Sequence, residues 1–293
     1  MLILNEEKYA KTVYDGSNVN VKSIMSKIRY ITRYLLYVKN KDDIDIYTET
    51  VEWLTKYHGN FEESCYSNVI SDAINGAHKY PFYKIDSIKI TQLELDLISS
   101  LNNLRAEKIL FVLLCMAKQQ SVSMGFTNGL VKYSMTDLCK MARISVPSDE
   151  REYILHYIVQ HGFLGYPKKN DTKCLIVTFI DDESDAVMEL NEADCKELAY
   201  TYLSWKNKGK GYSRCECCKR LIKQMKNQTE IFCESCNSVI GDVDEGIKVR
   251  LCVDCDIPVY INNPKDTRTC RCDKCQKEER QRINKEYYNK TKG

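Results

Sequence analysis

Histidine is scarce in this chain: four residues, His58, His78, His156 and His161, among 293. No pair of them forms an H-E-x-x-H, so a helical metalloprotease site is excluded. No G-x-S-x-G and no phosphate-cradling glycine loop occurs. Gly209-Lys210-Gly211 lacks the strand and the spacing of a P-loop. The longest apolar run, Ile109 to Ala117, is about half of the roughly 20 residues a membrane helix needs. Only Met1 to Leu4 are apolar before Asn5, Glu6 and Glu7, too short a stretch for a secretory signal. The expectation is a protein of a reducing cytoplasm. Five prolines leave little room for extended linkers, and the pattern predicts a mostly helical chain. No catalytic residue, small-molecule substrate or membrane partner is assigned, and the chain is read as no enzyme.

Cysteine is abundant, with fifteen residues, and ten of them fall between Cys215 and Cys275. They order into paired C-x-x-C units: Cys215/Cys218 with Cys233/Cys236, then Cys252/Cys255 with Cys272/Cys275. Fourteen residues (219–232) separate the first two units and sixteen (256–271) the second two, which is the spacing of four-cysteine zinc sites. Each C-x-x-C turns tightly and aims two thiolates at one point, and a second such turn completes a tetrahedron. The two sets begin 37 residues apart, so they read as a tandem repeat of one module, each binding one Zn²⁺. Disulfides are disfavoured in the expected compartment. A redox C-x-x-C comes singly, near a βαβ pattern. Cys217 and Cys270 are spare, and Cys270 competes with Cys272 for the second site; Cys272 is preferred because it restores the C-x-x-C spacing with Cys275. Four-cysteine sites have no open coordination position, which argues against zinc hydrolysis. Cys115 and Cys139, in apolar helical stretches, read as packed thiols.

The rest of the chain follows helical periodicity. Ile24, Ile28, Ile31, Leu35 and Val38 recur every three or four residues, predicting an amphipathic helix over 21–39; Lys22, Lys27, Arg29 and Arg33 read as its solvated surface. A second helix is expected over 44–58 and a third from Phe61 to the break at Tyr80-Pro81. Residues 1–20 carry no clear pattern. Leu104 to Lys118 is a strongly apolar helix, a second starts at Ser134 with Asp137 completing a cap, and a third opens at Pro147-Ser148. Two strands follow, at Phe163–Tyr166 and Cys174–Phe179, joined through Lys168–Asp171. A further helix runs from Asn191 through Cys195, Leu198, Ala199, Tyr202 and Leu203.

The order helix, helix, helix, hairpin over Leu104 to Ile180 resembles the winged helix-turn-helix, and "VQHGFLGY" looks like its helix-to-wing junction. The ending "CRCDKCQKEERQRINKEYYNK" resembles a recurrent ending of proteins from phages and mobile elements of Gram-positive bacteria. That likeness implies a bacterial host cytoplasm and supplies no activity. The expected fold class is α+β, mainly α. It comprises an N-terminal helical domain (1–100), a winged-helix-like domain with the following helix (101–205), a linker with the first ribbon (206–250), and a second ribbon with a basic helix (251–293). Net charge is only +2, but from Arg268 onward nine basic residues face four acidic ones. The candidate nucleic-acid contacts are therefore Arg268, Arg271, Lys274, Lys277, Arg280, Arg282 and Lys285, with Lys168, Lys169 and Lys173 on the wing. DNA or RNA is the expected partner; a host or phage protein complex is the other. The third helix of the winged region starts with Asp149, Glu150 and Glu152, which would face phosphates across a groove, so it is not expected to read DNA.

Overall fold

The computed structural model describes residues 2–16, 23–59, 61–168, 174–224, 232–233, 236, 248–251, 258–261, 276–277 and 279–281. The chain divides into two compact units, Met1–Arg214 with Lys219–Gln228, and Cys215–Cys218 with Thr229–Gly293. The fold class is α+β and mainly α.

Four helices open the first unit: α1 (Glu6–Tyr14), α2 (Ile24–Tyr37), α3 (Asp43–Tyr57) and α4 (Glu63–Lys79). The unpatterned first residues thus contain a helix. Its start was signalled by Asn5, whose side chain accepts from the Lys8 amide at 2.9 Å, and by Glu6 and Glu7 in the first turn, where carboxylates suit the helix dipole. Asp42 caps α3 in the same way, at 2.8 Å from the Asp45 amide. The periodic residues Ile28, Ile31 and Leu35 are buried together with Val13, Ile46, Trp53, Leu54, Ile70 and Ile74. The basic face of α2 is only partly the solvated surface its sequence suggested: Arg29 is exposed, and Lys22 lies outside the described residues. Lys27 is only 4% exposed, and Arg33 donates to Glu6 at 2.9 Å with both side chains largely buried.

A second core is centred on α6 (Leu104–Met124). Before it come β1 (Ile88–Thr91) and α5 (Gln92–Ser99), and after it β2 (Leu130–Lys132), α7 (Met135–Met141), α8 (Ser148–Gln160), β3 (Leu164–Gly165) and β4 (Cys174–Val177). Then follow β5 (Ala186–Leu190), α9 (Glu192–Cys195) and α10 (Leu198–Lys206). From Ile109 to Cys115 every residue of α6 is fully buried, because neighbours surround this helix rather than flank one face. Asn103 caps it and Gly125, at φ 64°, ends it in the left-handed conformation. Leu2 and Leu4 also lie in this second core.

β2, β4 and β3 form an antiparallel sheet in that order, with Leu130 opposite Ile176 and Leu164 opposite Val177. The strand β2, between the first two helices of this region, was not expected from the sequence. Gly129 precedes it because a Cβ there would stand 2.1 Å from the Val177 carbonyl oxygen. β1 pairs antiparallel with β5, Ile88 opposite Leu190. α5 was also unforeseen, although Thr91 and Glu94 form a complete capping box at its start. Ser134 does stand at the N-cap of α7, but its side chain makes no capping hydrogen bond. The helix expected from Asn191 is two helices, broken at Lys196-Glu197. Asn191 and Asp194 cap α9 reciprocally, and the break turns Glu197 toward Arg143, whose Nε lies 2.9 Å from its carboxylate.

Candidate metal centre

Cys215 and Cys218 lie in the turn that joins β6 (Tyr212–Arg214) to β7 (Leu221–Lys223). The hairpin pairs Arg214 with Leu221, leaving six residues, 215–220, between the paired positions. Lys219 adopts φ 59°, the left-handed turn conformation that is uncommon for a residue other than glycine. The chain returns at Cys233, whose amide donates to the Cys215 sulfur at 3.3 Å, and turns again so that the Cys236 amide donates to the Cys233 carbonyl at 3.0 Å.

The result is one cluster. The sulfurs of Cys215, Cys218, Cys233 and Cys236 all lie within 4.8 Å of one another, and those of Cys218 and Cys233 are 3.5 Å apart. None of these cysteines is in a disulfide. The arrangement can hold a metal ion. With zinc–sulfur bonds of about 2.3 Å, a regular tetrahedron has edges of about 3.8 Å, close to the separation seen.

The thiols differ in acidity. Burial pushes the Cys215 thiol up, but backbone N–H groups of Cys218, Cys233 and Cys217 together bring it down to about 6. Burial holds the Cys233 thiol above its ordinary value. The Cys233 thiol lowers that of Cys236, but burial and the neighbouring sulfurs of Cys218, Cys217 and Cys215 prevail and take it up to about 11. The Cys215 thiolate therefore forms in preference to those of Cys233 and Cys236.

The cysteines of the second set, Cys252, Cys255, Cys272 and Cys275, lie outside the described residues, as does Cys270. The strands around its first half are described: β8 (Lys248–Leu251) pairs antiparallel with β9 (Pro258–Ile261), Leu251 opposite Pro258. Six residues, 252–257, thus separate the paired positions, as in the first hairpin. In sequence each six-residue segment carries cysteine at its first and fourth positions.

Of the expected nucleic-acid contacts, Lys168, Lys277 and Arg280 are exposed. Lys169, Lys173, Arg268, Arg271, Lys274, Arg282 and Lys285 lie outside the described residues. On α8, Asp149 and Glu152 are exposed and Glu150 is partly buried. Glu150 pairs with Arg105. Arg151 turns back, its Nε donating to the Val146 carbonyl at 2.9 Å. Cys115 is fully buried and Cys139 nearly so, and burial raises both thiols, as expected of packing groups.

The sequence reading missed the groups that hold the first hairpin. Asp194 and Glu197, both nearly buried, face Arg214 at 2.8 Å and Arg220 at 3.6 Å, the residues flanking the cysteine turn. An isolated arginine beside a cysteine pair in a basic linker carried no signal of this. No family model, no curated protein and no solved structure matches the chain.

Proposed function

We propose that Cys215, Cys218, Cys233 and Cys236 hold a structural Zn²⁺, that Cys252, Cys255, Cys272 and Cys275 hold a second, and that the chain is a non-enzymatic nucleic-acid-binding accessory protein of a phage or mobile element. The four-sulfur cluster carries the zinc reading. A soft, closed, all-thiolate set suits zinc and leaves no coordination position for a substrate. Bound zinc cross-links two turns that have little apolar surface of their own, and so supplies folding energy directly.

Residues 104–180 are read as a winged helix-turn-helix, supported by the order α6, β2, α7, α8, β3, β4 and the sheet order β2-β4-β3. In this reading α8 does not enter a DNA groove. Its exposed N-terminal face carries Asp149 and Glu152, and its one arginine is engaged internally. Phosphate contacts fall instead to Lys168, Lys169 and Lys173 and to the basic stretch from Arg268 to Lys285, with steep salt dependence from counterion release. The acidic α8 face supports a second reading for this domain, docking of a host or phage protein.

Competition binding to DNA and RNA separates these. Replacing Lys168, Lys169 and Lys173 by Glu, or truncating after Gln276, is expected to weaken binding and flatten its salt slope. Asp149→Lys with Glu152→Lys is expected to leave sequence preference unchanged. Loss of sequence-specific binding in the α8 variant, with no effect of the wing variant, would identify α8 as the reader.

A further inference from the structure

Arg214 is not a cysteine, yet its guanidinium links the end of the strand that enters the first cysteine turn to the residue that leaves it. Its Nη2 lies 2.8 Å from Asp194 Oδ1, and its Nη1 donates to the Lys219 carbonyl at 3.1 Å. Asp194 is itself fixed, since its side chain closes the capping box of α9 and its side chain is only 3% exposed. The guanidinium therefore forms an ion pair through Nη2 with a buried carboxylate and a hydrogen bond through Nη1 to the residue that leaves the turn. That residue, Lys219, is the one at φ 59°. The strand register beneath, Arg214 opposite Leu221, closes the same segment from below.

We propose that Arg214, oriented by Asp194, is a positioning residue for the metal: it clips the two ends of the 215–219 turn together, so that Cys215 and Cys218 are held at ligand spacing before the ion arrives. The proposal rests on the zinc reading of this site. A turn ordered in advance loses less conformational freedom when it closes around the ion, and that difference appears as metal affinity. Partners outside the ligand shell commonly change metal affinity by about 10–100-fold when removed. The anchoring carboxylate lies twenty residues before Arg214 in the chain, on α9.

The test uses the full chain with Cys252→Ser and Cys275→Ser, so that one complete set remains. Apo protein is titrated with Co²⁺, read by thiolate-to-cobalt absorption, and the cobalt is then displaced by Zn²⁺. Arg214→Gln is expected to lower the apparent affinity by about tenfold or more, together with some loss of apo stability, because Asp194 is left buried without its cation. The Arg214 side chain is 49% exposed, so its replacement leaves no cavity. Arg214→Lys, which keeps the charge but cannot span both acceptors, is expected to fall between. Combining Arg214→Gln with Asp194→Asn is expected to cost little more than Arg214→Gln alone. Equal cobalt affinity in the parent and Arg214→Gln would overturn the proposal, as would a lowered apo midpoint with affinity intact. A parent that gives no thiolate–cobalt absorption would instead remove the zinc reading, and the inference with it.

Discussion

At the scale of single residues, the first unit places several charges where solvent cannot reach them. Glu94 is fully buried and is matched by Lys118 at 2.8 Å and by the amides of Thr91 and Asp181, each at 2.9 Å. Glu107 meets the Tyr202 hydroxyl at 2.9 Å and Lys206. Lys27 is different, because it faces a base: its Nζ is 3.2 Å from His58 Nε2. Burial lowers the Lys27 ammonium. Burial, then the charge of Lys27, holds His58 below its ordinary value of 6.5. The fold thus favours neutral imidazole, while the unfolded chain takes up a proton near 6.5. The contribution is full above that value and is lost as pH falls through it toward the folded value. Lowering the pH from about 7.5 to about 5 should therefore depress the melting temperature, and His58→Gln should reduce that dependence. An unchanged pH dependence in His58→Gln would show that the pair does not govern it. Such burial was not legible in the sequence, because Lys27 has the helical spacing of a solvated residue and its partner lies 31 residues away.

At the scale of elements, legibility tracks period and length. α2, α4 and α6 were readable because apolar residues recur over fourteen to twenty-one positions. β1, β2 and α5 were not, being four, three and eight residues long, too short for a period to assert itself. The capping box at Thr91 and Glu94 was present in the sequence, but its following run looked like any short apolar patch. The first cysteine cluster was the most legible feature, because a C-x-x-C spacing brings two sulfurs together within one tight turn regardless of the surrounding chain. The supporting strands repeat too, with six residues between paired ends in each hairpin. The dependence of the first unit on α6 is testable. Phe111 is fully buried and packs 5.2 Å, centroid to centroid, from the Tyr202 ring. Phe111→Ala should cost about 3–5 kcal/mol, measured by denaturant unfolding of the helical signal, with metal content per folded chain unchanged. A loss below about 1 kcal/mol would mean that the neighbours of α6 close the cavity, contrary to a core built around it.

At the scale of the whole molecule, two compact units rest on different physics. The first has two apolar cores of residues almost entirely removed from water, and each buried Leu, Ile or Phe adds about 1.5–3 kcal/mol. The second carries the cysteine sets, with little apolar material in the sequence around them, and in this account is held by metal. No helix among the described residues is long and apolar enough to cross a membrane. Chelation should therefore separate the units: helical signal from residues 1–214 survives, and protease cleavage begins within 215–276. The central claim is that the cysteines are zinc ligands in two independent sets, and zinc counting by elemental analysis on freshly purified protein tests it most directly. The account predicts two zinc ions per chain, one in Cys215→Ser with Cys233→Ser, and one in Cys252→Ser with Cys275→Ser. Zinc content that is unchanged by the first pair of substitutions, or absent from the unaltered chain, would contradict it.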